Sequence, residues 1–382
     1  MRYLALVALA ACGSSQPIKT VTITAMAGNA PAGGATVVSH TADGKQIDST
    51  TADAVGVADI GIADGAMVSV LFPGIISDLT PNIQIVTAPL TDGMKIVGPA
   101  DDPGPATIVG GLQINPKNIQ ATSYEIQLGC ATFTVTQMPA VIDVGARCMG
   151  SDTNVDVLVT AMNGSDPVGY AAGRVAMVDG MAEFDPPKWE TMYTTVPATV
   201  SPASATLGWT LVSDGLPFTT PIGEMPTGLV VDRVVVTADI GSSIETTHWY
   251  PMVPASIALT DADFLAPLTA SLAAGYTWTA AGFGDAVDLR ASWDTDPTGS
   301  AANAVPTGAH HVQWDAILPP DATTIAAPPV GLMPPATADI ALRYVDSSAS
   351  DGFPATEIHA DTIVPPVADG EIRVTQAIGL TN

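Results

Sequence analysis

The sequence predicts an all-β chain made of several β-sandwich domains, with at most one short helix. Val, Ile and Thr are abundant and Lys and Glu are scarce, a balance that suits pleated, half-buried strands. Runs of alternating character recur roughly every ten to twenty residues. They are Thr20–Ala25, Ala66–Phe72, Ser123–Leu128, Val155–Ala161, Leu229–Ala238, Ala286–Trp293, His311–Leu318, Ala338–Val345 and Glu371–Ile378. Turn formers separate them, 35 Gly and 32 Pro, and short strands between such turns point to sandwiches or barrels.

Residues 1–11 read as a signal peptide. Arg2 is the one charge before an apolar or small run, Leu4 to Ala11, too short for the roughly twenty residues of a membrane span. Leu9-Ala10-Ala11-Cys12 resembles the lipobox of bacterial lipoproteins. The resemblance implies a diacylglyceryl group on Cys12, cleavage before it, and acylation of the new amino group. It also implies a place in the bacterial cell envelope. Gly13 rather than Asp follows Cys12, which favours the outer membrane, with the soluble part in the periplasm or outside the cell. Residues 12–19 continue as a lipidated, flexible tether. Several acyl chains, at about 0.8 kcal/mol per buried CH₂, make a stable anchor.

Residues 20–98 form the first expected domain. Pro31 and nearby glycines turn the chain after the first strand, Asp43-Gly44 marks a hairpin, and Gly56 and Asp64-Gly65 mark the last turns. Gly28, Pro31, Gly34-Ala35-Thr36-Val37, Asp43-Gly44, Thr51, Asp53, Gly56 and Asp64-Gly65 together resemble the carboxypeptidase-regulatory-like family. That family is a transthyretin-like, broadly Ig-like β-sandwich. Val55 departs from it, standing where a polar residue is common. The resemblance implies a spacer, stabiliser or adhesive unit without catalysis of its own. Because its turns are local, this unit is expected to fold alone. Val159 through Ala171 also aligns without gaps to Ile23 through Ala35, from either a repeat or a shared turn chemistry.

Pro99–Pro105 is a linker by composition. Residues 106–195 are expected to be a second β domain. With Cys12 acylated, Cys130 and Cys148 remain, and two cysteines in an oxidising compartment read as one disulfide. Residues 196–382 hold enough strands for one large sandwich or two small ones. Within them Thr260, Asp261 and Asp263 would start a helix, with Phe264, Leu265, Leu268 and Leu272 as its stripe and Gly275 as its end.

Acidic residues number 38 against 12 basic, a net charge of −26, which repels phosphate backbones and speaks against nucleic acid as a partner. The five His form no HExxH or other zinc spacing, and no G-x-S-x-G elbow or phosphate-binding loop occurs. The chain is therefore read as a non-enzyme: an envelope-anchored binding or structural lipoprotein whose partner is a glycan or an envelope protein. The alternative is a carbohydrate-active or other carboxylate-using hydrolase. Asp294-x-Asp296-x-Thr298-Gly299 starts like a Ca²⁺ loop but has Val305 where the closing acidic ligand belongs. No other cofactor is expected. All six Trp lie beyond residue 188, and flat rings on a sheet face can stack on sugars. Three large side chains in a row, His248-Trp249-Tyr250, cannot all face inward. Trp249, Tyr250 and Trp278 are accordingly the candidate ligand-binding residues.

The anchor is directly testable. Replacing Cys12 with Ala should move the protein from the membrane fraction to the soluble fraction, and unchanged detergent partitioning would refute lipidation.

Overall fold

The computed structural model describes residues 19–77, 80–98, 107–149, 152–186, 188–201, 203–241, 244–265, 276–295, 310–335, 337–348, 352–360 and 371–378. These are mostly strand and turn. Helical geometry among them is limited to two single 3-10 turns, Ala146–Cys148 and Asp261–Asp263. The second is where the expected helix begins: Thr260 and Asp263 close a capping box around it. Leu268, Leu272 and Gly275 lie outside the described residues. Each of the nine alternating runs contains a strand, so the chain is all-β.

A twelve-stranded sheet dominates. Its order is Leu216–Thr219, Thr206–Ser213, Arg233–Ile240, Ile244–Tyr250, Ile372–Ile378, Asp339–Ser347, Ala286–Thr295, His310–Leu318, Thr80–Pro89, Met67–Ser77, Thr36–His40, Gln46–Thr51. Successive side chains take opposite faces. One face supplies Leu71, Ile85, Trp314, Leu289 and Leu342 to a core closed by Tyr276, Trp278, Ile325 and Leu332. The other supplies Val70, Val86, Ile317 and Val345, which pack on Val21, Ile23, Ile60, Ile96 and Ile358 of a five-stranded sheet. Burying each such Val, Leu or Ile is worth roughly 1.5–3 kcal/mol.

Among the described residues, the strands between Ile108 and Phe184 form ladders only with one another, apart from a single bridge between Tyr170 and Glu190. A four-stranded sheet (Ala131–Val135, Ser123–Leu128, Asn154–Asn163, Asp166–Ala176) faces a three-stranded one (Ala140–Gly145, Ile108–Ile114, Met181–Phe184) across Ile126, Val157, Leu112 and Phe184. Cys130, in the turn of one sheet, and Cys148, just after the other, form a disulfide with Cα atoms 4.7 Å apart. A cross-link over a separation of 18 residues restricts the unfolded chain by about 3 kcal/mol. The outer face of the four-stranded sheet gives Leu158 and Tyr170 to a core shared with Trp209, Leu211, Val234 and Val236 of the large sheet.

Local turn chemistry acts as read. Gly56 has φ +78°, and a Cβ there would lie 2.4 Å from the Ala25 carbonyl oxygen, so only glycine fits. Gly28 (φ 57°) and Gly164 (φ 65°) lead two-residue turns, with Met26 opposite Pro31 and Met162 opposite Pro167. The aligned segments therefore share one hairpin geometry. Their continuations differ: Thr36–His40 crosses to the large sheet, whereas Asp166–Ala176 stays paired with Asn154–Asn163.

Pairing crosses the boundary expected near residue 98. His310–Leu318 runs parallel to Thr80–Pro89, and Glu357–His359 runs parallel to Lys95–Gly98. A fragment from Pro17 to Pro99 would leave both edges bare and uncover Ile85, Val86 and Ile96. It should melt well below the full chain, or aggregate, when followed by far-UV circular dichroism. A cooperative transition at the full-chain temperature would show that the seam adds no stability.

Candidate functional site

His248, on Ile244–Tyr250, stands opposite Arg373 on Ile372–Ile378, which stands opposite Asp346 on Asp339–Ser347. The Asp261–Asp263 turn closes over them. Arg373 Nη1 donates to Asp263 Oδ1 at 3.0 Å and Nη2 to Asp346 Oδ2 at 2.9 Å, while its guanidinium lies 4.7 Å from the centre of the Phe283 ring. His248 is 5% exposed. Its Nε2 is 4.0 Å from Asp263 Oδ1 and its Nδ1 3.9 Å from Glu371 Oε1. The Tyr250 hydroxyl lies 3.4 Å from the same Nδ1. Burial lowers the His248 pKa to about 4, outweighing the opposing pull of Asp263. Burial also raises the Tyr250 hydroxyl to about 12. Burial pushes the Asp263 carboxyl up, but hydrogen bonds from Thr260 and Arg373 hold it below its ordinary value.

A second charged cluster crosses the centre of the sheet. Asp288 and Arg290 lie two apart on Ala286–Thr295 and so share a face. Arg343 Nε donates to Asp288 Oδ2 at 2.8 Å and Arg290 Nε to Asp315 Oδ1 at 2.5 Å. Asp315 Oδ2 also accepts from Gln84 and Gln313, each at 2.8 Å. Both carboxylates are fully buried. Burial, with Asp315 near, pushes the Asp288 carboxyl up against the pull of Arg343.

A third buried chain contains a His–Ser pair. His40 Nδ1 donates to the Thr41 carbonyl at 2.9 Å, which leaves Nε2 to accept from Ser69 Oγ at 2.8 Å. Ser69 then accepts from Thr87 at 2.7 Å, and Thr87 accepts from Trp314 Nε1 at 2.9 Å. The distances are those of a base beside a nucleophile. All four side chains are fully buried inside the large sheet's core, so the chain satisfies polar groups that would otherwise be buried without partners.

The sequence-derived candidates do not converge. Trp278 is 7% exposed and belongs to the core under Trp314. Tyr250 packs beside Val234 and Val236, on the His248 face. Trp249 projects from the opposite face, partly exposed. In its cross-strand row stand Val235 and Ile372; two residues along the same face comes the buried Thr247, and four along come Glu245 and its cross-strand partner Gln376. Thr247 and Gln376 each donate to Glu245 Oε1 at 3.1 Å. Asp294 is exposed and pairs with His311 Nδ1 at 2.9 Å. Asp296, Thr298 and Cys12 lie outside the described residues. No cluster of three His, Cys, Asp or Glu side chains placed to hold a metal occurs among the described residues. Sequence reading missed the buried Asp–Arg cluster, although alternating charges in an otherwise apolar strand, Asp288 and Arg290, were its signal.

No protein-family profile and no curated protein matches the chain. Among solved structures it is similar to a chain described as "Ca2+-stabilized adhesin helps an Antarctic bacterium reach out and bind ice". That likeness has 13% identity over 87% of this chain and 95% of the other, with a TM-score of 0.13, too low to carry an argument.

His248 generates a pH prediction. Its folded pKa lies below its ordinary value near 6.5, so protonation favours the unfolded chain. The stability it contributes is present above about pH 6.5 and is lost as pH falls toward 4. His40 acts in the same direction and Asp288 in the opposite one, so the difference between wild type and His248→Gln isolates this residue. Thermal melts from pH 4 to 7 should show a shallower loss of stability in the variant, and parallel curves would contradict the assignment.

Proposed function

We propose that the chain is a non-catalytic, envelope-anchored binding lipoprotein and that its ligand is a glycan met on the partly exposed face around Trp249. The observation that carries this reading is the arrangement on that face. An apolar row, Val235–Trp249–Ile372, shares its face with two partly exposed hydrogen-bonding groups four residues along the same strands, Glu245 and Gln376. A chain of sugars presents apolar ring faces and hydroxyl rims in succession, and such a surface matches both. The placement of the acid–base groups also supports it: His40 and Ser69, and Asp288 and Asp315, are hydrogen-bonded or ion-paired within packed layers. A hydrolase would need its carboxylates to converge on an open cleft. Anchoring through Cys12 completes the proposal and is tested by the fractionation experiment.

Trp249→Ala should weaken retention on insoluble polysaccharide by about 1–3 kcal/mol if the ring is a binding hot spot, with its melting temperature little changed. Loss of folding without loss of retention would show that the ring serves packing and would remove the glycan assignment.

A further inference from the structure

We propose a second binding site, on the disulfide-bearing unit, that takes an extended, basic segment of a partner protein as an added strand. An open cleft of about 520 Å³ lies between Asp166–Ala176 and Met181–Phe184. Each of these strands is the last in its sheet, one ending the four-stranded sheet and the other the three-stranded one. Their outward main-chain groups follow from the ladders. Tyr170 exchanges both outward bonds with Glu190, at 3.0 and 2.8 Å, whereas Met177 donates inward to Thr153. By alternation, Ala172 and Arg174 point their N–H and C=O groups outward with Tyr170. On the other strand the Phe184 carbonyl accepts inward from Asn115, which turns the Glu183 main chain toward the cleft. A row of strand-edge donors and acceptors is a template for β-augmentation.

Two further features suit an incoming strand. A Cβ on Gly173 would lie 2.8 Å from the Phe184 ring, so the glycine lets that ring close the floor with an apolar surface. Charged side chains commonly guard free edges, and Arg174 is the cation on this one. It is drawn toward the neighbouring strand instead, with Nη2 2.7 Å from Asp152 and Nε 3.5 Å from Asp156. The lining carries Glu183, Asp185 and Arg174, and with their ion-pair partners, Asp152 and Asp156 on Arg174 and Lys117 on Asp185, they make a charged cluster of four carboxylates and two cations. It is therefore net acidic and complements a basic partner. A second copy of this chain, at a net charge of −26, would bring the same acidic cluster and repel.

The test uses the full chain and a short, blocked, fluorescent peptide that alternates valine with lysine. Fluorescence anisotropy should show saturable binding, which the glutamate version of the peptide lacks. N-methylation of the alternate peptide nitrogens should abolish it. Arg174→Pro removes one outward N–H, at an edge position where proline is tolerated, and should weaken binding about three- to tenfold. Arg174→Ala keeps the N–H and should bind at least as tightly as wild type, with both folds checked by melting. Equal binding by the methylated peptide, or equal losses in the two variants, would overturn the proposal. So would a concentration-dependent dimer of the chain that Arg174→Pro dissolves, because the occupant would then be a second copy.

Discussion

The seam between Thr80–Pro89 and His310–Leu318 joins segments more than 220 residues apart, and the rest of the large sheet depends on it. Parallel strands cannot be linked by a hairpin, so their pairing needs a long intervening excursion and a high closure entropy. Side chains on both faces reinforce the ladder. Trp314 donates to Thr87 on one face, and Asp315 accepts from Gln84 on the other, at 2.9 and 2.8 Å. Both donors, Trp314 and Gln84, are buried, so breaking either bond leaves an N–H group in the dry interior at about 1–3 kcal/mol. Once the seam closes, the five-stranded sheet packs against the face carrying Val86, Ile317 and Val345.

The buried charges also bear on register. Replacing a buried ion pair with apolar groups is often neutral or stabilising, so the Asp288–Arg343 and Arg290–Asp315 pairs are weak evidence for stability. They have a second consequence. A one-residue slip would turn Asp288, Arg290 and Arg343 into the core beside Trp314 and Leu289 and would press the large apolar side chains of that core against the five-stranded sheet. Charge on one face and Trp, Leu and Val on the other therefore allow one alignment of the three strands. The Arg373 clamp acts on a neighbouring strand of the same sheet, fixing the Asp261–Asp263 turn through Asp263 while Thr375 donates to the Asp263 carbonyl at 2.9 Å.

Beyond these pairs the protein is acidic. Lys95, Lys117, Arg174 and Lys188 each meet a carboxylate, so much of the small cationic inventory is neutralised locally and the surplus negative charge faces solvent. Individual surface pairs of this kind contribute little. The net field acts at longer range, keeping copies apart and favouring cationic over phosphate-bearing partners.

Strand positions and turns were legible in the sequence because they follow local rules. A period of two, the hairpin at Asp43-Gly44 and the positive φ of Gly56 need no distant partner. The disulfide was legible too, once Cys12 was assigned to lipid, because two cysteines allow one pairing. Partner choice was not legible. Any apolar strand can lie beside many others, and only simultaneous packing on both faces selects Thr80–Pro89 for His310–Leu318. The three candidate aromatics separated for the same reason. Strand alternation put Trp249 and Tyr250 on opposite faces, as residue order requires. Whether a face meets solvent or a second layer depends on what folds over it, and Tyr276 and Ile325 with the loop around Leu332 enclose Trp278. Residue order set which way each ring points, and the packing of distant layers set which ring remains accessible.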